Sequence, residues 1–151
     1  MKTRSIDGAR RGSTGGSKPT APAACPCGGQ PAGAPYQACC GLWIETQHAA
    51  PDAASLMRSR YTAYTQSNFA YLRRTWHPRT CPADLEAPHD AAAPQWLNLS
   101  LKRHQVLDAD HAEVEFVARY KSGGRAYRLH EISRFMRLDG VWVYLDGQLF
   151  D

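Results

Sequence analysis

Two hydrophobic periods divide this chain. Between Pro51 and Trp76, large side chains return at helical spacing. Leu56, Met57, Tyr61 and Tyr64 fall on one side of a first helix, with Arg60 among them. Asp52 suits its N-cap, because a carboxylate there accepts free backbone N–H groups of the first turn. Gln66-Ser67-Asn68 interrupts the pattern. Ser67 or Asn68 then caps a second helix with Phe69, Leu72, Thr75 and Trp76 as its buried stripe. Pro78 ends that helix after His77, since the residue before proline avoids the helical region.

Residues 78–95 contain four prolines and read as an irregular crossing. After them the period falls to two. Leu97, Leu99 and Leu101 alternate with Asn98, Ser100 and Lys102. Val114, Phe116, Ala118 and Tyr120 alternate with Glu113, Glu115 and Arg119. Beyond the turn Ser122-Gly123-Gly124, one face collects Tyr127, Leu129, Glu131, Ser133 and Phe135. His130, Ile132, Arg134 and Met136 take the other. Asp139-Gly140, set between Leu138 and Val141, is the strongest hairpin signal in the chain. Helices followed by about four antiparallel strands predict an α+β domain, its sheet wrapped on the N-terminal helices over residues 50–151.

Ahead of this domain the chemistry changes. Cys25, Cys27, Cys39 and Cys40 lie within sixteen residues, and residues 28–35 between them are Gly, Pro, Ala and one Gln, with almost no apolar bulk. Such a loop cannot bury a core of its own. Four thiolates around one tetrahedral zinc ion would hold it, with no position open for water, so the ion would be structural. Paired disulfides or plain thiols are the alternative, and His48 is a substitute ligand outside the tight cluster. We take residues 25–45 as a four-cysteine zinc knuckle. The fifth cysteine, Cys81, is read as an inert thiol, with a redox role as the alternative.

Charge adds a third segment. Residues 1–24 hold Lys2, Arg4, Arg10, Arg11 and Lys18 against Asp7, whereas the remainder balances thirteen basic with thirteen acidic residues. The leader lacks the apolar area to offset the entropy of ordering, and is expected to be disordered. It is either a solvated leader or a basic arm for nucleic acid. The chain has no run long and apolar enough to span a membrane and no secretory pattern, so a cytoplasmic, reducing setting is expected.

With these residues placed, the chain resembles the YchJ-like family of uncharacterised bacterial proteins. The match is carried by Cys25-Pro-Cys27-Gly28, Tyr36 with Cys39-Cys40, Leu56-Met-Arg-Ser-Arg-Tyr61 and Thr75-Trp-His-Pro78. It continues through Val114 to Tyr120, His130-Glu131, Ser133-Arg-Phe135, Trp142 and Asp146-Gly147. The resemblance implies a zinc knuckle similar to the SEC-C motif at the C-terminus of the preprotein translocase ATPase, where it docks on proteins and ribosomes. It also implies a nuclear-transport-factor-2-like cone. The loop between Cys27 and Cys39 has eleven residues where the family usually has eight, a difference that falls near Pro31–Pro35.

In cone folds the space between sheet and helices is often a pocket, and similar enzymes place a carboxylate or His there for proton abstraction. Glu131, on the face of Leu129, Ser133 and Phe135, is expected to point inward, within reach of Arg58 or Arg60 for a structural ion pair. Tyr64, Trp76, His77, Glu131, Ser133 and Phe135 are the candidate pocket residues, although His77 also suits a cap at the end of the second helix. No nucleophile–base–orienter set is readable. The closed four-cysteine site and the SEC-C resemblance imply, as the leading function, a non-enzymatic module that docks on a protein partner, linked to translation or secretion. A small-molecule or enzymatic pocket in the cone is the alternative, and nucleic-acid binding through knuckle and tail the second.

Overall fold

The computed structural model describes residues 23–86 and 94–150. Most of the basic leader therefore lies outside the described residues. A single-turn 3-10 helix at Tyr36–Ala38 precedes α1 (Gly41–Ile44). Two further helices follow, α2 (Ala53–Thr65) and α3 (Phe69–Arg74). The strands β1 (Gln95–Asp108), β2 (His111–Ser122), β3 (Arg125–Leu138) and β4 (Val141–Phe150) form one antiparallel meander in the order β1-β2-β3-β4.

Local chemistry sets the joints. Asp52 caps α2 by accepting from the Ser55 N–H at 2.8 Å, and Asn68 caps α3 by accepting from the Tyr71 N–H at 3.0 Å. Asp139 and Gly140 both take positive φ, 53° and 81°, as a two-residue hairpin with the strands' own twist requires. The second helix ends at Arg74, three residues before the predicted stop at His77. Trp76 is instead drawn into a bridge with Tyr144 of β4. The His77 N–H donates to the Tyr144 carbonyl at 2.8 Å, and the Tyr144 N–H donates to the Thr75 carbonyl.

The alternation in β2 and β3 holds in three dimensions. Val114 pairs with Ser133, Phe116 with Glu131 and Ala118 with Leu129, all on the face toward the helices. In β1 the expected phase fails at its start. Leu97 is an unpaired extra residue between Trp96 and Asn98, and is 42% exposed. Trp96 takes the inner position, in line with Leu99 and Leu101. In β4 a bulge at Leu145 lets both Tyr144 and Gly147 reach the inner face, where they pair with Phe135 and Ser133.

The helix α2 is the hub. Eight of its thirteen residues are buried, more than one amphipathic stripe supplies. Ser59 hydrogen-bonds Tyr71 of α3, Thr62 and Arg58 meet the cysteine segment, and Met57, Arg60, Tyr61 and Tyr64 face the sheet.

Candidate functional site

The four clustered cysteines converge. Their sulfurs all lie within 4.8 Å of one another, each residue is buried, and all remain free thiols. Cys27 Sγ is 3.5 Å from Cys39 Sγ, which is 4.0 Å from Cys40 Sγ. Four thiolates at tetrahedral zinc-sulfur length stand about 3.8 Å apart, so the set fits one such ion. Outer partners are in place as well. The Gly29 N–H donates to Cys27 Sγ at 3.4 Å, Thr62 Oγ1 donates to Cys40 Sγ at 3.3 Å, and Arg58 Nη1 lies 3.8 Å from Cys27 Sγ. Ionisation among the sulfurs is uneven. The hydrogen bond with Cys40 leads in holding Cys27 down to about 5. Burial, then the hydrogen bond with Cys27, pushes Cys39 up to about 11, and Cys40 is raised further by serving Cys27 and by burial. A divalent cation is what would let all four lose their protons together.

Local backbone explains the loop's composition. Gly29 has φ +88°, and a Cβ there would sit 2.8 Å from the Gly33 nitrogen. Tyr36 Oη donates to Glu45 at 2.6 Å and ties the middle of the knuckle to its C-terminal end. His48 is exposed and hydrogen-bonded to Thr46, apart from the sulfurs. Cys81 is half-buried beside the Pro82 carbonyl, likewise apart.

The second site lies on the opposite side of α2. A cavity of about 260 Å³ opens between α2 and the sheet. Arg60, only 3% exposed, reaches into it. The guanidinium lies 4.7 Å from the ring centres of both Trp76 and Tyr144, which meet each other edge-on at 5.2 Å. Its Nη1 donates to the Leu72 carbonyl at 2.9 Å and Thr75 Oγ1 at 2.8 Å, near the C-terminal end of α3. Burial pulls its pKa down, yet an arginine stays cationic at neutral pH. Opposite stands Glu131, whose Oε2 accepts from Ser133 Oγ at 2.6 Å and Tyr144 Oη at 3.0 Å. Burial, then the Glu131 charge, pushes the Tyr144 phenol up, so it keeps its proton and donates. Trp96 completes an aromatic wall with Tyr61 at 5.7 Å and Tyr64 at 6.0 Å.

Tyr64, Trp76, Glu131 and Ser133 thus come together as cavity residues. His77 and Phe135 do not line the cavity. The His77 backbone is bound to β4, and its Nδ1 accepts from the Arg79 N–H instead of capping α3. Phe135 is 1% exposed in the core, edge-on to Tyr144. The expected ion pair is also absent: among the described residues neither Arg58 nor Arg60 meets Glu131 within salt-bridge range. Arg58 turns to the knuckle and Arg60 to α3 and two aromatic rings.

Trp96, Tyr144 and Gly147 are not among the pocket residues expected from the sequence. The last carried a signal, because glycine inside a strand often marks a close approach. A Cβ at Gly147 would overlap the Glu131 carboxylate. Gly147→Ala is therefore expected to displace Glu131 from Ser133 and Tyr144 and to cost about 1–3 kcal/mol in denaturant unfolding. Adding Glu131→Gln should then cost little more, since both changes act on the same hydrogen bonds. Fully additive losses would contradict this placement.

Fold and site together define an α+β domain of the nuclear-transport-factor-2-like class, carrying a buried four-cysteine cluster able to hold a metal ion. Residues 52–147 match the family model described as YchJ, middle NTF2-like domain. The chain belongs to the YchJ family. It is 56% identical over 140 residues to a UPF0225 protein of Ralstonia nicotianae, covering 87% of this chain and 94% of the relative. A UPF0225 protein of Cupriavidus pinatubonensis is 54% identical over 134 residues, covering 85% and 90%. Among solved structures, the chain is similar to a SEC-C motif containing protein from Rhodopseudomonas palustris. The TM-score is 0.69 at 28% identity, over 85% of this chain and 99% of that one. A SEC-C motif containing protein from Psychrobacter arcticus follows, with TM-score 0.62 and 25% identity, over 85% and 83%. No helix among the described residues is long and apolar enough to cross a membrane.

Proposed function

We propose that this chain is a small-molecule-binding protein whose ligand site is the cavity between α2 and the sheet, and whose knuckle holds a structural zinc ion. One observation carries the first half: a buried arginine with no carboxylate partner in salt-bridge range faces a glutamate across an aromatic-walled space. Apolar walls with a few convergent polar groups are the usual make-up of a ligand pocket. The four-thiolate donor set and sulfur spacing support zinc in the knuckle. The two halves share α2. Arg58 and Thr62 fasten it to the cysteines, while Arg60, Tyr61 and Tyr64 wall the cavity.

A docking role for the knuckle, with a link to translation or secretion, rests on the SEC-C resemblance. The geometry favours the cavity, because the sulfurs are turned into α2 while the unmatched polar groups converge on the other side. An NMR screen of small aromatic fragments against intact, metal-loaded protein tests the reading. The indole N–H signals of Trp76 and Trp96 should move before those of Trp43 and Trp142. Fragments that bind only elsewhere would overturn it.

A further inference from the structure

We infer that the cavity selects a small, planar aromatic acid that also bears a hydrogen-bond donor, its carboxylate on Arg60 and its donor on Glu131. This rests on the cavity being a ligand site, and names the chemistry it takes. A guanidinium has five N–H donors in a fixed fork. Nη1 of Arg60 is committed to Leu72 and Thr75. Among the described residues Nε and Nη2 have no carboxylate acceptor, the Tyr64 hydroxyl being the polar neighbour on that side, and those two side-on donors match the two oxygens of a carboxylate.

The other end has the opposite need. Glu131 Oε2 is filled by Ser133 and Tyr144, and Oε1 has no side-chain donor among the described residues. A hydroxyl or amine on the ligand would supply one. Between the two ends the walls are Trp96, Tyr64 and Trp76, which favour a flat ring in offset or edge-on contact. The cavity of about 260 Å³ admits one substituted ring and little more. Binding an acid alone would leave Glu131 unmatched, and binding a phenol alone would leave Arg60 unmatched. An unmatched buried polar group is the stronger basis for rejecting a wrong ligand.

The experiment is calorimetric titration of the intact, zinc-loaded chain with 3- and 4-hydroxybenzoate, benzoate and phenol. At least one hydroxybenzoate should bind tenfold or more tighter than both benzoate and phenol. Arg60→Lys, which keeps the charge and loses the fork, should abolish its advantage over phenol. Glu131→Gln should abolish its advantage over benzoate. Arg60→Met, checked for an unchanged fold by thermal melting and amide spectra, serves if the lysine variant unfolds. A purely structural role for either residue would weaken all four probes equally, and that result overturns the inference while leaving the cavity as a ligand site. Fragments that move the Trp76 and Trp96 indoles with no preference for acids or donors would do the same. No binding of any probe, with the indoles unmoved by the fragment screen, overturns both readings.

Discussion

Replacing Cys40 by Ser, or stripping metal with a chelator, is expected to unfold residues 25–45 and to loosen α2. The knuckle has little to fall back on, since its loop is Gly, Ala and Pro and its buried side chains are chiefly the cysteines themselves. Structural zinc contributes on the order of 10–16 kcal/mol to small knuckles, against a net stability of about 5–15 kcal/mol for a whole domain. Cys40 stands at the joint, 1% exposed, with Thr62 of α2 donating to its sulfur at 3.3 Å. Losing it removes one of the four sulfurs and weakens the tie to α2, where Thr62 Oγ1 keeps only its longer sulfur contact, to Cys25 at 3.7 Å. Amide spectra should lose the dispersed signals of residues 25–45, with smaller shifts along α2 as far as Tyr64, and the melting temperature should fall by about 10 °C or more. Elemental analysis should give one zinc per chain in the parent protein and less in the variant. An unchanged spectrum after complete chelation would refute the metal-stapled knuckle.

Phe135→Ala is expected to be the most damaging single change in the sheet, at about 3–5 kcal/mol. The ring is among the largest fully buried side chains and packs edge-on against Tyr144 at 5.7 Å. Its removal leaves a void between β3, β4 and the helices, where a rigid sheet collapses poorly. For a folded unit of this size, the loss corresponds to a drop of about 10–20 °C in melting temperature. Phe135→Leu should recover most of it. The contrast with Glu131 is informative, because both share a strand face and alternation alone cannot separate core from cavity. Any ligand preference that depends on Arg60 and Glu131 should survive in Phe135→Leu. A variant that melts normally but loses that preference would put Phe135 back in the ligand site.

What the sequence determined by itself was whatever depends on near neighbours. Four cysteines within sixteen residues mark a cluster able to hold a metal ion before any fold is known. Asp52 and the pair Ser67-Asn68 announce helix starts, and the caps that form, Asp52 and Asn68, use bonds that span three residues. Asp139-Gly140 announces a hairpin through its own φ angles, and strict alternation in β2 and β3 sets which face carries Glu131 and Ser133. Each is a short-range property, so it is written in order along the chain.

What only the tertiary structure decided depends on register and on contacts between distant segments. The bulges at Leu97 and Leu145 are invisible to alternation, yet they set Trp96, Tyr144 and Gly147 on the inner face. Arg60 looked ready for an ion pair with Glu131, and its guanidinium instead joins Leu72, Thr75, Trp76 and Tyr144. The helix α2 has no clean apolar stripe because three surroundings share it: knuckle, α3 and sheet. A cavity is the space left when strand twist, bulges and helix position are fixed together. No local stretch of sequence encodes that space, although every residue lining it was in plain view.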